Sequence, residues 1–453
     1  MFFNHRTALA GLAALDILGV ARAANITALP GSVALGDGVV GALHRPEKSS
    51  PRASIAVLVM HAEEDYLTFS ACTELSKRGF TVLCANNYAS KEGEMTDLDF
   101  DYMMTDVGKG VSWLRNQTEF EHIVLFGHSG GGAMMTAYQN IAENGVQACQ
   151  GSEKIAPCSD DLAGLDPADG LLLVDCNYGL STMMLFSLNP AITNETSGLD
   201  NTPALDLYNP VNGFVANANS NYTADFKKAF QKGVAARNNR LVKYALERKA
   251  AIAAGDGSYL DDEPMVIPDA MYEGFNNKFF AQDTRWLGHT KYSWPLVHKN
   301  GSSTTQIVPS VRVPQNFENF GTNFTMGAIK TTVNRFLHVF GIWVDEEEFA
   351  YQEDGFTGVH LNSSLTAPAA AIQGVSVPIL TIGNTGHWEY LNAEKLHLNA
   401  VSSTDVSTAF IEGATHLLTT CTECERYPGE FGNTLETAYN YMALWLGKEG
   451  RFI

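Results

Sequence analysis

Continuous apolar runs alternate with amphipathic stretches along the first part of the chain. The runs carry almost no polar residues, which is typical of strands that helices cover on both faces. They lie at 55–60, 81–85, 123–126 and 171–174. Between them, the stretches 69–78 and 101–115 repeat their apolar residues with helical spacing. This alternation predicts a mostly parallel sheet covered by helices, the α/β class.

The alternation stops after Asp175 and resumes only at the apolar run 377–382. A helix at 393–400, a strand at 407–411 and an amphipathic helix at 435–446 then complete the pattern. The intervening segment contains a long predicted helix at 223–254, whose basic residues we expect to form a solvated face. These are Arg237, Arg240, Lys243, Arg248 and Lys249. The pattern predicts a core in two parts, 24–176 and 371–453, with a mainly helical cap at 177–370.

Residues 1–23 have the pattern of a signal peptide, with a basic start, a mostly apolar centre and a small-residue end at Ala21-Arg22-Ala23. We therefore expect a secreted glycoprotein, and seven N-x-[ST] sequons support this expectation. They lie at Asn25, Asn116, Asn194, Asn221, Asn300, Asn323 and Asn362. The formal net charge of −20 argues against nucleic acid and anionic membranes as partners. The apolar leader is too short and interrupted to predict stable membrane insertion.

Seven cysteines in an oxidising compartment would leave at least one unpaired. Cys149 and Cys158 are the first expected disulfide pair. Cys421 and Cys424 lack the second ligand pair that a zinc site needs, so we expect a disulfide or two separate partners.

The sequence Gly127-His128-Ser129-Gly130-Gly131 follows the apolar run 123–126 and leads into a predicted helix. A serine on a tight turn from strand to helix holds its hydroxyl clear of the backbone, and small neighbours allow the strained turn. Ser129 is therefore a candidate nucleophile. The alternative is a glycine-rich turn that binds phosphate at a helix N-terminus, but no Gly-x-Gly-x-x-Gly or P-loop lysine accompanies it.

This order of elements resembles the α/β-hydrolase superfamily over residues 54–176 and 371–447, with the cap inserted after the sixth core strand. The resemblance implies the chain order serine, acid, histidine. Ser129 and His416 fit this order, His416 lying just after the last predicted strand. Other histidines fit less well: His128 is expected to pack beneath the turn, and His289, His387 and His397 lack the loop context, although His387 remains a credible pocket residue.

The resemblance implies an acid a few residues beyond the seventh strand, where Gly383-Asn384-Thr385-Gly386 offers no carboxylate. Glu389 is the nearest acidic residue and is the preferred candidate to orient His416. Asp175, at the end of the sixth strand, is the alternative. The oxyanion hole would use the backbone N–H groups of Gly130 and Ala62, although Ala62 replaces the glycine of the family's His-Gly signature.

The implied chemistry is acyl transfer through an acyl-enzyme on Ser129, which requires no metal and no cofactor. We expect a secreted serine hydrolase that cleaves an ester, thioester or lactone of an apolar small molecule. Two alternatives stay open: an acyltransferase or cyclase of secondary metabolism that uses the same serine, and a non-catalytic binding protein with this fold. The sequence does not indicate the oligomeric state.

Overall fold

The computed structural model describes residues 31–48, 50–91, 98–196, 200–271, 278–315 and 328–453. The predicted signal peptide and the sequons at Asn25 and Asn323 lie outside these residues. Among the described residues, no helix is both long and apolar enough to cross a membrane.

The strands follow one another along the chain with these bounds: β1 Gly31–Gly36, β2 Val39–His44, β3 Ile55–Val59, β4 Thr81–Asn86, β5 His122–His128, β6 Gly170–Val174, β7 Pro264–Ile267, β8 His289–Val297, β9 Ser303–Pro309, β10 Ile329–Thr332, β11 Trp343–Val344, β12 Ala350–Gln352, β13 Gly355–Thr357, β14 Val359–His360, β15 Ile379–Asn384 and β16 Val406–Ile411. The helices are α1 Ser70–Lys77, α2 Phe100–Arg115, α3 Gly130–Asn144, α4 Leu180–Ser187, α5 Ala224–Ala253, α6 Phe279–Gln282, α7 Val333–Arg335, α8 Pro368–Ala371, α9 Leu391–Asn399 and α10 Thr434–Leu446.

The main sheet has ten strands in the order β1-β2-β4-β3-β5-β6-β15-β16-β8-β9. The strands from β4 to β8 in this order run parallel, and the pairs β1–β2, β2–β4 and β8–β9 run antiparallel. The exchange of β3 and β4 beside an antiparallel β2 is the strand order of the α/β-hydrolase fold. The predicted fold class is therefore confirmed.

Two apolar layers cover the sheet because successive residues of a buried strand point to opposite faces. Leu58 and Leu125 pack with Met103 of α2 and Met134 of α3 on one face. Val57 and Phe126 pack on the other face, which α1 and α10 cover. Because β3, β5, β6, β15 and β16 run parallel, their carboxyl ends meet along one edge of the sheet. Ligand sites of such sheets lie at this edge.

The segment between β6 and β15 contains helices, as expected, but also supplies two strands to the main sheet. β8 pairs with β16 and β9 with β8, so the sheet extends beyond its last predicted strand. The sequence did not indicate these strands because both lack a continuous apolar run or strict alternation, and β9 is largely exposed. The division into core and cap domains stays a prediction.

The expectation of a fully solvated basic face on α5 is wrong for Arg237. This side chain is 0% exposed and binds both carboxylate oxygens of Glu195, at 2.8 and 2.6 Å. It also donates to the carbonyls of Asn189 and Pro268. The bidentate ion pair with Glu195, together with the two carbonyl acceptors, offsets the free-energy cost of removing the guanidinium from water. Arg240 in the same helix is exposed.

Three disulfides are formed among the described residues. Cys149–Cys158 is the expected pair, and Cys421 bonds Cys424. Cys72 of α1 also bonds Cys84 of β4, a pairing that the sequence did not suggest. Cys176 is a buried free thiol, in line with the expected unpaired cysteine.

Candidate active site

Ser129 lies on the turn between β5 and α3, which confirms the expected strand–turn–helix context. Its backbone has φ 53° and ψ −128°, a conformation that costs a residue with a side chain about 1–3 kcal/mol. Its amide donates to the carbonyl of Val174 at 3.3 Å, and its carbonyl accepts from the amide of Asn177 at 3.2 Å. The strained turn is therefore held against the end of β6.

Glycines make room for this turn. A Cβ atom on Gly131 would lie 2.6 Å from the backbone oxygen of Met60, and one on Gly132 would lie 2.4 Å from Cys176 Sγ. Side chains at these positions would push the first turn of α3 away from β3 and β6. The small residues after Ser129 are therefore required by close backbone packing.

Asp175 follows β6 with a positive φ of 41° and is 1% exposed. Its Oδ1 accepts a hydrogen bond from the backbone amide of Asn384 at 3.0 Å. Its Oδ2 accepts from two imidazoles: His416 Nδ1 at 2.7 Å and His387 Nδ1 at 2.9 Å. Three donors thus fix the carboxylate and compensate for its burial.

Glu389, the preferred acid of the sequence analysis, lies farther from the base. Its Oε2 is 3.5 Å from His416 Nδ1 and 3.9 Å from His387 Nδ1. Glu389 is 3% exposed, and Oε2 has no hydrogen-bond donor among the described residues. The hydrogen bond expected of Glu389 is made by Asp175 instead. We therefore move the acid assignment to Asp175, which the sequence analysis kept as the alternative.

His416 lies in the loop after β16 and is supported through its backbone. His128 Nε2 donates to the carbonyl of His416 at 2.7 Å, and the hydroxyl of Tyr66 donates to His128 Nδ1 at 2.5 Å. The ring centroids of His128 and His416 are 4.5 Å apart. Because His128 immediately precedes Ser129, this contact places the nucleophile turn beside the candidate base.

Burial and charge set the ionisation of this cluster. Burial raises the pKa of Asp175, but the two histidines outweigh it and hold that pKa below its ordinary value. Burial and the nearby His416 lower the pKa of His387 to about 4. Burial also raises the pKa of Glu389 to about 8. Burial alone would lower the pKa of His416, but the nearby Glu389 and Asp175 outweigh burial and raise this pKa above its ordinary value of 6.5. Asp175 is thus the group that keeps its negative charge.

Ala62 and Gly130, the predicted oxyanion-hole residues, belong to loops that pack together. A Cβ on Gly130 would lie 3.0 Å from Glu63 Oε2 and 3.4 Å from His61 Cε1. His61 Nδ1 accepts hydrogen bonds from the amides of Glu63 and Glu64, at 3.0 and 2.8 Å. These contacts fix the loop after β3 beside the start of α3. The role of the two amides stays a prediction.

An aromatic wall adjoins the cluster. Trp388 follows His387, with ring centroids 5.6 Å apart, and lies between Tyr178 at 5.8 Å and Phe280 at 4.8 Å. Lys278 Nζ lies 5.7 Å from the Trp388 ring. Neither Trp388 nor Tyr178 was predicted from the sequence. Both follow strands that end at the site edge, which is the signal that could have found them.

His387 is the residue whose position the sequence analysis underrated. It follows β15 at the same edge as Asp175 and binds the same oxygen as His416. Its distance from a strand end was visible in the sequence. That it shares the acid with His416 was not visible, because these contacts join residues far apart in the sequence.

No protein-family model matches the chain, and no curated protein matches it. Among solved structures, it is similar to DcsB in complex with a substrate analogue, with 10% identity and a TM-score of 0.42 over 90% of this chain and 93% of that chain. It is also similar to Est1E from Butyrivibrio proteoclasticus, with 9% identity and a TM-score of 0.39 over 92% and 97%. For the α/β hydrolase GrgF from Penicillium sp. sh18, the identity is 11% and the TM-score 0.40 over 92% and 96%. Strand order, rather than these likenesses, defines the α/β-hydrolase fold of the chain.

Proposed function

We propose that this protein is a secreted serine hydrolase that cleaves an ester, thioester or lactone of an apolar small molecule. The observation that carries the proposal is the 2.7 Å hydrogen bond between His416 Nδ1 and Asp175 Oδ2, formed beside the strained turn of Ser129. A buried carboxylate that orients an imidazole next to a serine is the arrangement that activates a hydroxyl for acyl transfer.

In the proposed reaction, the Nδ1 proton of His416 stays hydrogen-bonded to Asp175, which leaves Nε2 to take the proton of the Ser129 hydroxyl. The serine oxygen attacks the carbonyl carbon, and His416 then protonates the leaving alcohol, thiol or lactone oxygen. Water releases the acid by the same route in reverse. Asp175 stabilises the imidazolium that forms in each step.

Negative charge on the carbonyl oxygen would be stabilised by the amides of Gly130 and Ala62. Gly130 is the first residue of α3, so the positive end of that helix contributes in the same direction. The loop of His61 and Glu63, which contains Ala62, packs against Gly130, and this contact supports the assignment of the two amides.

The surroundings of the cluster support an apolar substrate. Trp388, Tyr178 and Phe280 form a buried apolar layer beside His387, with at most 4% of each residue exposed. An apolar acyl or alkyl group bound at the margin of this layer would gain free energy by leaving water. We therefore propose that hydrolysis becomes more efficient as the acyl chain lengthens from acetate.

A series of p-nitrophenyl esters from acetate to decanoate tests this function. We expect turnover by the purified protein, with kcat/KM rising along the series, and loss of turnover to background in Ser129→Ala. Ser76→Ala, in α1, is the matched control and should keep the parental rate. A parental rate no higher than that of Ser129→Ala on every ester would overturn the proposal.

A further inference from the structure

Two histidines and two carboxylates meet at the edge formed by the ends of β6, β15 and β16. One ligand atom from each of Asp175, His387, Glu389 and His416 lies within 4.8 Å of the others. A reaction that uses Ser129, His416 and Asp175 leaves His387 and Glu389 without a chemical role. The position of His387 and Glu389 beside Asp175 and His416 is therefore not explained by the proposed reaction.

Glu389 is the independent sign of a ligand. Only 3% of this residue is exposed. Its Oε2 faces the cluster and has no hydrogen-bond donor among the described residues. A buried carboxylate oxygen without a partner is costly. A cation bound between the imidazoles and the two carboxylates would satisfy it.

The spacing suits a tetrahedral metal site. Zinc binds histidine nitrogen and carboxylate oxygen at about 2.0–2.2 Å, which places tetrahedral ligands about 3.3 Å apart. From Asp175 Oδ2, the two Nδ1 atoms lie at 2.7 and 2.9 Å, and from Glu389 Oε2 they lie at 3.5 and 3.9 Å. These four distances lie on both sides of this value, and the remaining two ligand pairs lie within 4.8 Å.

We infer that Asp175 Oδ2, Glu389 Oε2 and the Nδ1 atoms of His387 and His416 bind a divalent transition-metal ion of the zinc type. Imidazole and carboxylate are ligands that such ions accept. The two carboxylates balance the charge of the ion, and the 26% exposure of the His416 side chain gives it an entry path.

Bound metal would block the proposed reaction, and this part of the inference rests on the proposed function. Coordination through Nδ1 requires the imidazole of His416 to carry its proton on Nε2. That nitrogen could then no longer accept the proton of Ser129. The ion would therefore act as a reversible inhibitor that competes with the proton held between His416 and Asp175.

Zinc binding is measured on metal-free protein by competition with a chromogenic zinc chelator, which does not require enzyme activity. We expect about one ion per chain in the parent and in Ser129→Ala. Glu389→Gln and His387→Asn should each weaken binding by about tenfold or more. His298→Asn is the matched control, because His298 also pairs with a carboxylate, Glu412, at 2.7 Å, but lies outside the cluster. It should bind zinc like the parent.

Equal zinc affinity in the parent, Glu389→Gln and His387→Asn would overturn the site, whether or not the protein hydrolyses esters. Ester hydrolysis by the parent should fall over the same zinc concentrations that fill the site and recover with EDTA. Stoichiometric binding with unchanged hydrolysis would overturn the blocking step and leave the site standing. Absence of hydrolysis in metal-free buffer would overturn the proposed function, while the binding measurement would still decide the site.

Discussion

At the scale of single residues, the assignment of the acid depends on which carboxylate is hydrogen-bonded to His416. Asp175 and Glu389 both follow buried strands at the same edge, and a sequence offers no means to tell which carboxylate meets His416. The carboxylate of Asp175 accepts hydrogen bonds from His387 and His416, whereas Glu389 Oε2 lies 3.5 and 3.9 Å from the same two nitrogens. The places of Ser129 and His416 after β5 and β16, by contrast, could be predicted, because each depends only on the local order of strand, turn and helix or loop.

Replacing each of the two carboxylates by the corresponding amide tests this assignment. Asp175→Asn should lower kcat by roughly a thousandfold or more, because the amide no longer favours the tautomer in which Nε2 of His416 is free. Glu389→Gln should cost about tenfold or less, since Oε2 makes no hydrogen bond to the base. Steady-state kinetics on one ester in the presence of EDTA measures both. A larger loss in Glu389→Gln than in Asp175→Asn would restore Glu389 as the acid.

The pH profile reports the environment of His416. The neutral imidazole is the active base, and its pKa is raised above 6.5 by Glu389 and Asp175 against the effect of burial. Activity is therefore expected at high pH and is lost as the pH falls through this raised pKa. The acidic limb of kcat/KM should therefore lie above the ordinary pKa of a free imidazole. An acidic limb well below that value would contradict the raised pKa of His416. Metal-free buffers are required throughout.

At the scale of elements, apolar runs predicted the central strands because each run is buried on both faces. The helices beside them were predicted for a related reason, since α2 turns one apolar face toward the sheet. The antiparallel pairs β1–β2 and β8–β9, at the two ends of the sheet, could not be found in this way, because their strands mix exposed polar and buried apolar residues. The predicted solvent exposure of Arg237 was wrong because its partner Glu195 lies outside α5, where helical spacing gives no information.

The start of α3 makes an element-scale prediction. Gly131→Ala places a Cβ 2.6 Å from the Met60 carbonyl oxygen, so we expect a loss of about 1–3 kcal/mol in the free energy of unfolding together with reduced turnover. Gly31→Ala, in edge strand β1, is the control, because a Cβ there meets nothing within 4 Å. Urea denaturation compares the two variants. Equal stability of Gly131→Ala and the parent would contradict the close packing of the elbow against β3.

At the scale of the whole molecule, the pairing of the cysteines can be tested directly. Three disulfides account for every cysteine except Cys176. Protein purified from the culture medium of a eukaryotic secretion host and then denatured without reductant should therefore show one reactive thiol per chain. After reduction, all seven cysteines should react. Seven reactive thiols before reduction would contradict the disulfides.

The central claim is that Ser129 is a nucleophile activated by His416, and covalent labelling tests it most directly. A fluorophosphonate probe should form a single adduct that peptide mapping places on Ser129. The adduct should be absent in Ser129→Ala, strongly slowed in His416→Ala, and unchanged in Ser76→Ala. An unlabelled parental protein in metal-free buffer, or an adduct that persists in Ser129→Ala, would contradict the account.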